Sequence, residues 1–453
     1  MSNKVFLFLF TVLSTCSQAD QHSLAHIMRD AREHDAGYLS SKATFQSKKI
    51  SAQKDMRAML PTVDLSSKLI NKYGDTQTNL ESKFSVSVPV YNPKSQLKAK
   101  SGHLSMENIL LSERAFEQNY TLDVARAYFD LLSKHALLNA ANIEEAQYQK
   151  NYEQVVEMYE NGLKSNIDVL SAQTNLNLST VSNLEAKSAF NHARSTLEKM
   201  INQPITELQS TDTQNEIQLP LLEQSDIVDL AQSNNLALKI SQNNLRQAQN
   251  TYNQSTTDFL PSLNLITEAK FADGKFWDED AYTSNVYLNF SVNLFNKGND
   301  QLSLKSSGKA HEAASLSLKN NAYDLTLNTQ KAHADIASAQ ARLQATQTAN
   351  ETAKLRLEAT YEQHKMGEES ELDLFHAINQ ASLARRNYIN AQHTLVIKHL
   401  EMLQILGELS EPSIDEISHQ LTKTVYLDAN GHPSSASDLA ANFLPPYAQD
   451  SAD

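Results

Sequence analysis

Apolar residues recur every three or four positions over much of the chain, a pattern that predicts long amphipathic helices. In the first half these positions are Leu122, Ala125, Phe129, Leu132, Ala136, Ala140 and Ile143. Near the end of the chain they are Leu374, Ile378, Ala381, Ala384, Tyr388, Ala391 and Leu395. The two longest helical segments, about 95–160 and 300–364, would each extend about 100 Å. Because a helix of that length cannot fold onto one compact core, it must lie along neighbouring helices, as in a coiled coil.

The same order of elements occurs twice along the chain. The sequence LPTVDL at 60–65 recurs as LPSLNL at 260–265, and GLKSNID at 162–168 recurs as GEESELD at 367–373. Each half predicts a polar helix (about 21–57 and 224–257), two strands, a long helix, a glycine turn and a last helix. The predicted organisation is a first repeat at 20–203, a linker at 204–222, a second repeat at 223–410 and a weakly structured tail at 411–453.

Four segments alternate between apolar and polar residues, which predicts β-strands at about 61–73, 80–91, 261–272 and 283–295. The apolar positions include Val86, Val88, Leu288, Phe290 and Val292. Such strands could form a half-buried sheet on a soluble domain. The rest of the chain, however, offers no apolar helix face broad enough to cover this sheet. The apolar residues are therefore expected to face lipid.

The first 19 residues have the features of a secretory signal peptide. Lys4 precedes the apolar run VFLFLFTVL at 5–13, and Ser17-Gln18-Ala19 is a small-x-small cleavage site. The single cysteine, Cys16, lies inside this segment, so its removal leaves no thiol for a disulfide or a metal. Alternatively, Leu13–Cys16 faintly resembles a lipoprotein box, in which Cys16 would be acylated.

Alternating strands in an exported bacterial-type protein suit an outer-membrane β-barrel. Four strands cannot close a barrel, since the smallest single-chain barrels use eight. Strand edges cannot remain unpaired in lipid, so several chains must contribute to one barrel. The alternative is a soluble periplasmic coiled-coil scaffold whose hairpins pack on themselves.

The first glycine turn reads YENGLKSNIDVLSAQ at 159–173, close to the YxxGxxSxxDVLxAQ turn of the TolC-like outer-membrane efflux and secretion channel family. Together with the duplicated plan, this resemblance covers about residues 22–410. It implies a homotrimer in which a 12-stranded barrel continues into a periplasmic α-helical barrel. It also implies a passive exit duct for drugs or type I secreted proteins. The partners would be a periplasmic adaptor protein and an ATP-driven or proton-driven inner-membrane transporter.

The resemblance also places the tunnel entrance at the two turns. The second turn departs from the family pattern, because Glu369 occupies the place of a basic residue and His376 the place of a second Asp. The family's closing tie between that basic residue and the Asp that corresponds to Asp168 therefore cannot form here. Asp373 could contribute to a threefold acidic ring at the entrance, and His376 could titrate near neutral pH.

Each of these residues also has a structural interpretation. Ser165 with Asp168, and Ser370 with Asp373, have the S-x-x-D spacing of a helix capping box, and His376 could be an ordinary exposed histidine. The residues Gly162, Leu163, Gly367 and Glu368 first indicate tight turns between helices. In the family these tips, with the two serines, also meet the adaptor.

Composition excludes several other functions. With 39 basic and 53 acidic residues the net charge is −14, which argues against nucleic acid as a partner. The ten glycines are scattered singly, without a P-loop, a GxGxxG or a GxSxG motif. No nucleophile and base are suitably spaced for hydrolysis. We therefore expect no enzymatic activity, no cofactor and no metal.

Overall fold

The protein is mainly helical with a small β part, as a computed structural model shows. The structure describes residues 23–71, 78–210, 224–272, 282–366, 368–419, 421 and 423–427. The predicted signal peptide with Cys16, most of the predicted linker, and Gly367 lie outside these residues. No helix in the described ranges is both long and apolar enough to span a lipid bilayer.

The first repeat contains four helices and one β-hairpin. In chain order they are α1 (Leu24–His34), α2 (Ala36–Met56), β1 (Thr62–Asn71), β2 (Thr78–Tyr91), α3 (Pro93–Glu160) and α4 (Asn166–Ile201). The prediction of a single helix at about 21–57 is wrong, because the helix is interrupted at Asp35. The Asp35 carboxylate accepts a hydrogen bond from the Gly37 backbone N–H at 2.7 Å and so begins a new helix.

The second repeat follows the same plan. Its elements are α5 (Gln224–Asn234), α6 (Leu236–Thr257), β4 (Ser262–Ala272), β5 (Tyr282–Ser291), α7 (Asn299–Lys365) and α8 (Glu371–Ile405). The helix expected at 224–257 is also divided, because Asn235 caps α6 by accepting a hydrogen bond from the Leu238 backbone N–H at 2.9 Å. The two breaks thus occupy corresponding places in the two repeats.

Strand β5 ends earlier than the alternation predicts, at Ser291 instead of residue 295. Asn293 and Asn296 donate hydrogen bonds to the two carboxylate oxygens of Asp300, in the first turn of α7. These bonds, followed by left-handed backbone at Lys297 and Gly298, turn the chain from the sheet into the helix. Val292, predicted as a strand residue facing lipid, therefore lies just beyond the strand.

The described part of the C-terminal tail is ordered, contrary to the expectation of weak structure. Helix α9 (Glu411–His419) buries Ile414 and Ile417, and the Ala25 backbone N–H of α1 donates to the Ser418 hydroxyl at 3.3 Å. Strand β6 (Lys423–Tyr426) pairs antiparallel with β3 (Glu207–Ser210). The described part of the tail thus packs against α1 and pairs with β3, the strand that lies between the two repeats.

Among the described residues, the hydrophobic core contains a large cluster of buried side chains and a smaller one. Its largest cluster joins α1, α3, α4, α8 and α9, and its fully buried members include Leu24, Leu131, Leu138, Phe190, Leu197, Val396 and Leu400. Beyond this region the long helices pair as α3 with α4 and α7 with α8, and α6 lies against both α3 and α7.

Helix α6 is held against α3 by amides at a seven-residue spacing. Asn243 and Gln247 both donate to the Leu104 carbonyl, at 2.7 and 3.2 Å. Asn250 and Gln254 both donate to the Leu97 carbonyl, at 2.9 and 3.0 Å. Because the pairs and their acceptors share the same spacing, they specify the axial register of the two helices.

Candidate functional site

The first helical tip is the turn between α3 and α4. Gly162 has φ +75°, a left-handed conformation that ends α3 at little cost for glycine. The Leu163 backbone N–H donates to the Met158 carbonyl at 2.8 Å and closes the turn. The Leu163 side chain is 75% exposed. This tip is therefore a tight turn that presents an apolar residue to its surroundings.

Helix α4 begins with a capping box made by Ser165 and Asp168. The Ser165 backbone N–H donates to Asp168 Oδ2 at 2.8 Å, and the Asp168 backbone N–H donates to Ser165 Oγ at 3.4 Å. The hydrogen bonds from Ser165 hold the pKa of the Asp168 carboxyl below its usual range. Asp168 thus has the structural role that the S-x-x-D spacing predicts.

The second tip repeats this arrangement at the start of α8. The Ser370 hydroxyl donates to Asp373 Oδ2 at 2.5 Å, and the Asp373 backbone N–H donates to Ser370 Oγ at 3.3 Å. The hydrogen bonds from Ser370 lower the pKa of the Asp373 carboxyl. Glu368 and Glu369 precede Ser370, and Glu371 and Asp373 follow it, so the segment 368–373 contains four acidic residues.

An aromatic contact that the sequence analysis missed joins the two helical hairpins near their tips. Tyr148 of α3 packs on Phe375 of α8, with ring centroids 4.3 Å apart. Asn379, one turn further along α8, is hydrogen-bonded to the Tyr148 hydroxyl, while burial raises the pKa of that phenol. One feature of the sequence could have indicated this contact: an aromatic residue, Phe375, lies between Asp373 and His376 in the second turn.

The four strands form one antiparallel sheet in the order β1-β2-β4-β5. Its register places Val86 beside Thr267 and Val286, and Val88 beside Leu265 and Leu288. Phe290 lies on the same face, opposite Leu263. Four of the five residues predicted to face lipid, Val86, Val88, Leu288 and Phe290, thus share one face, and Val292 does not belong to the sheet.

The opposite face of the sheet carries all the charged residues of these four strands. They are Asp64, Lys68, Glu81, Lys83, Glu268 and Lys270, and the register places them together because facing residues point to the same side. Glu268 lies 2.6 Å from Lys83 Nζ and 3.7 Å from Lys270 Nζ. The sheet therefore has one uncharged, mainly apolar face and one charged face.

The described residues contain no group of three or more His, Cys, Asp or Glu suited to hold an ion. His26, for example, pairs with Asp30 at 3.4 Å in an i, i+4 contact on α1.

The chain thus combines a four-stranded sheet, one face of which is uncharged, with two long helices of 68 and 67 residues, α3 and α7. The family model of outer membrane efflux proteins matches residues 39–203 and 227–408, more than half of the chain. The chain therefore belongs to the outer membrane efflux protein family. It is an outer-membrane export protein of the Gram-negative type that extends into the periplasm.

Individual proteins that are similar to the chain in sequence or in structure support this assignment. The chain is 24% identical over 429 residues to the outer membrane protein TolC of Vibrio cholerae, covering 91% of this chain and 97% of the relative. It is 23% identical over 300 residues to the alkaline protease secretion protein AprF of Pseudomonas aeruginosa, covering 62% of each. The crystal structure of the Campylobacter jejuni CmeC outer membrane channel superposes with a TM-score of 0.71 at 15% identity, covering 93% of this chain and 98% of that one.

Proposed function

We propose that three copies of the chain close into a 12-stranded barrel, and that this barrel continues into a tunnel of helices through which cargo leaves the cell. The observation that carries the proposal is the sheet. Its order leaves β1 and β5 at the two edges, and one face is free of charge. Unpaired strand edges are not stable in lipid. Pairing β5 of one copy with β1 of the next satisfies both edges by threefold symmetry.

The helical body supports the same assembly. Apolar side chains are exposed along α4 and α7. They include Leu178, Val181 and Leu184 on α4, and Leu302, Leu316, Tyr323, Leu327 and Leu355 on α7. Exposed apolar surface of this extent is typical of contact surfaces. A neighbouring copy on each side would bury it while the barrel closes.

The second tip is suited to be the periplasmic entrance of the tunnel. Threefold symmetry would gather three copies of Asp373, with Glu368 and Glu369, around one axis. Such a ring attracts cations. Because Glu369 is acidic, the entrance cannot be held by a basic residue at that position, and the contact between Tyr148 and Phe375 supplies an alternative restraint within each copy.

The exposed apolar residues at the tips are suited to a periplasmic adaptor. Leu163 and Ile167 are exposed at the first tip, and Met366 and Leu372 at the second. Through such an adaptor the channel would receive cargo from an inner-membrane transporter, driven by ATP or by protons, and would act as a passive duct without enzymatic activity. The cargo would be small molecules, in keeping with the efflux that the family description names, or a secreted protein, as the name of AprF suggests.

The test is the oligomeric state together with conductance. Protein extracted in mild detergent should have the mass of a trimer in multi-angle light scattering and should form discrete ion channels in planar bilayers. A folded monomer that inserts no channels would contradict the barrel.

A further inference from the structure

Two lysines face each other directly on the charged face of the sheet, Lys83 of β2 and Lys270 of β4. Like charges at facing positions of an antiparallel pair destabilise the pairing. One carboxylate serves both: Glu268 lies 2.6 Å from Lys83 Nζ but 3.7 Å from Lys270 Nζ. The group of three side chains therefore keeps one uncompensated positive charge, and Lys270 has only a long contact with the acid.

The acid is covered, whereas the two ammonium groups are accessible. The Glu268 side chain is only 8% exposed, while Lys83 is 39% and Lys270 44% exposed. The Tyr287 hydroxyl of β5 donates a further hydrogen bond to Glu268 Oε2, at 3.4 Å. A solute on this side of the sheet would therefore meet the lysines before the carboxylate.

The other charged residues of this face do not neutralise the two lysines within the same row of facing residues. Lys68 and Glu81 face each other in another row, which therefore has no net charge. Asp64 is exposed, but it lies in the next row of facing residues, nearer to the helices. One row thus consists of Ser66, Lys83, Lys270 and Thr283, and the next of Asp64, Ser85, Glu268 and Asn285. Positive and negative charges are separated along the strands.

We propose that three copies of this lysine pair line the lumen of the barrel and form a binding site for multivalent anions, such as phosphorylated solutes. The inference rests on the proposed trimeric channel, because a single copy has only one uncompensated charge. Threefold symmetry places six ammonium groups around one passage, where an anion with several charged oxygens can bridge different copies. An anion bound there would obstruct the flow of small ions.

The experiment measures block of single channels of the full-length protein in planar bilayers, with inositol hexakisphosphate added to the barrel side. The wild-type current should be blocked, and more salt should relieve the block. Lys270→Gln should weaken the block roughly tenfold, since each of the three copies loses one charge near the anion. Glu268→Gln should strengthen it, because it removes the only acid of the group. Lys270→Arg, which keeps the charge, is the matched control and should be blocked as strongly as the wild type.

The outcomes separate the two proposals. If the protein forms no trimeric channels, the proposed function fails. If channels form and conduct, but the block is absent or is the same in Lys270→Gln, Glu268→Gln and wild type, the anion site is wrong. The opposite effects expected from the lysine and glutamate variants also exclude a general loss of structure as the cause.

Discussion

At the scale of single residues, His393 of α8 stands out as a titratable group in the helical core. Its side chain is buried with the ring centroid 5.3 Å from that of Phe129, and its Nδ1 has no hydrogen-bond partner among the described residues. Burial lowers the pKa of this histidine to about 4. The folded state thus requires a neutral imidazole at this position.

This burial predicts a loss of stability in acid. The pKa of His393 is lower in the folded state than in the unfolded one, so the unfolded chain binds the proton first as the pH falls. The contribution of the neutral His393 to the free energy of unfolding is fully present above about pH 6.5. Roughly 3 kcal/mol of that free energy is lost per copy as the pH approaches 4. Thermal unfolding at pH 7 and pH 5 should show a smaller difference for His393→Phe than for wild type. The same substitution at the exposed His192 should leave the difference unchanged.

At the scale of elements, the two repeats offer a matched pair of glycines in α3 and α7. A Cβ on Gly102 would lie 2.5 Å from the Met56 backbone nitrogen and 2.8 Å from the Ala52 carbonyl oxygen. At Gly308, 206 positions later, a Cβ would meet only the Tyr252 ring, at 3.5 Å, which is an ordinary contact. Glycine therefore has different roles in the two repeats. Gly102 allows α2 to approach α3 closely, whereas at Gly308 no close approach of a neighbouring helix requires a glycine.

We expect Gly102→Ala to destabilise the protein and Gly308→Ala to leave it unchanged or slightly more stable. The first change must push α2 away from α3, at a cost of roughly 1–3 kcal/mol. The second replaces a poor helix former and should gain up to about 1 kcal/mol. Denaturation of the two variants, followed by circular dichroism, measures both effects. Equal behaviour would show that the contact between α2 and Gly102 does not contribute to stability.

The aromatic contact at the tips leads to a functional prediction at the same scale. Phe375→Ala removes the ring that packs on Tyr148 and should free α8 from α3 at the entrance. Single-channel conductance should then increase, with trimers of normal stability. Tyr159→Ala, which removes an exposed aromatic residue from α3 near the same end, serves as the control. An unchanged conductance in Phe375→Ala would mean that this contact does not restrain the entrance.

Local patterns in the sequence identify most elements but not their interruptions. The period of the apolar residues predicts the long helices within two residues at each end, because continuous packing between helices requires that period. The breaks at Asp35 and Asn235 were missed, since a capping side chain and an exposed polar residue of a helix look alike in sequence. The group around Glu268 was missed because it depends on the register between two distant hairpins.

At the scale of the whole molecule, the charged and uncharged faces of the sheet connect the fold to the membrane. The alternation in each strand is visible in the sequence, but only the register shows that all four strands place most of their apolar residues on the same side. A single copy leaves that face open to its surroundings. Closure into a barrel would place the uncharged face against lipid and the charged face around a water-filled lumen. Assembly and membrane insertion would therefore both require this division between the two faces.

Adjacent residues of β5 test this requirement directly, because they point to opposite faces. Leu288 lies on the uncharged face and Asn289 on the charged one. Leu288→Arg should prevent trimers from accumulating in the outer membrane, since a cation near the middle of the bilayer costs about 2–4 kcal/mol in each copy. Asn289→Arg adds the same charge on the lumen side, where water and other charges are present, and trimers should form normally. Trimers can be counted in membrane fractions by electrophoresis without heating. Equal yields from the two variants would mean that the faces of the sheet are assigned wrongly.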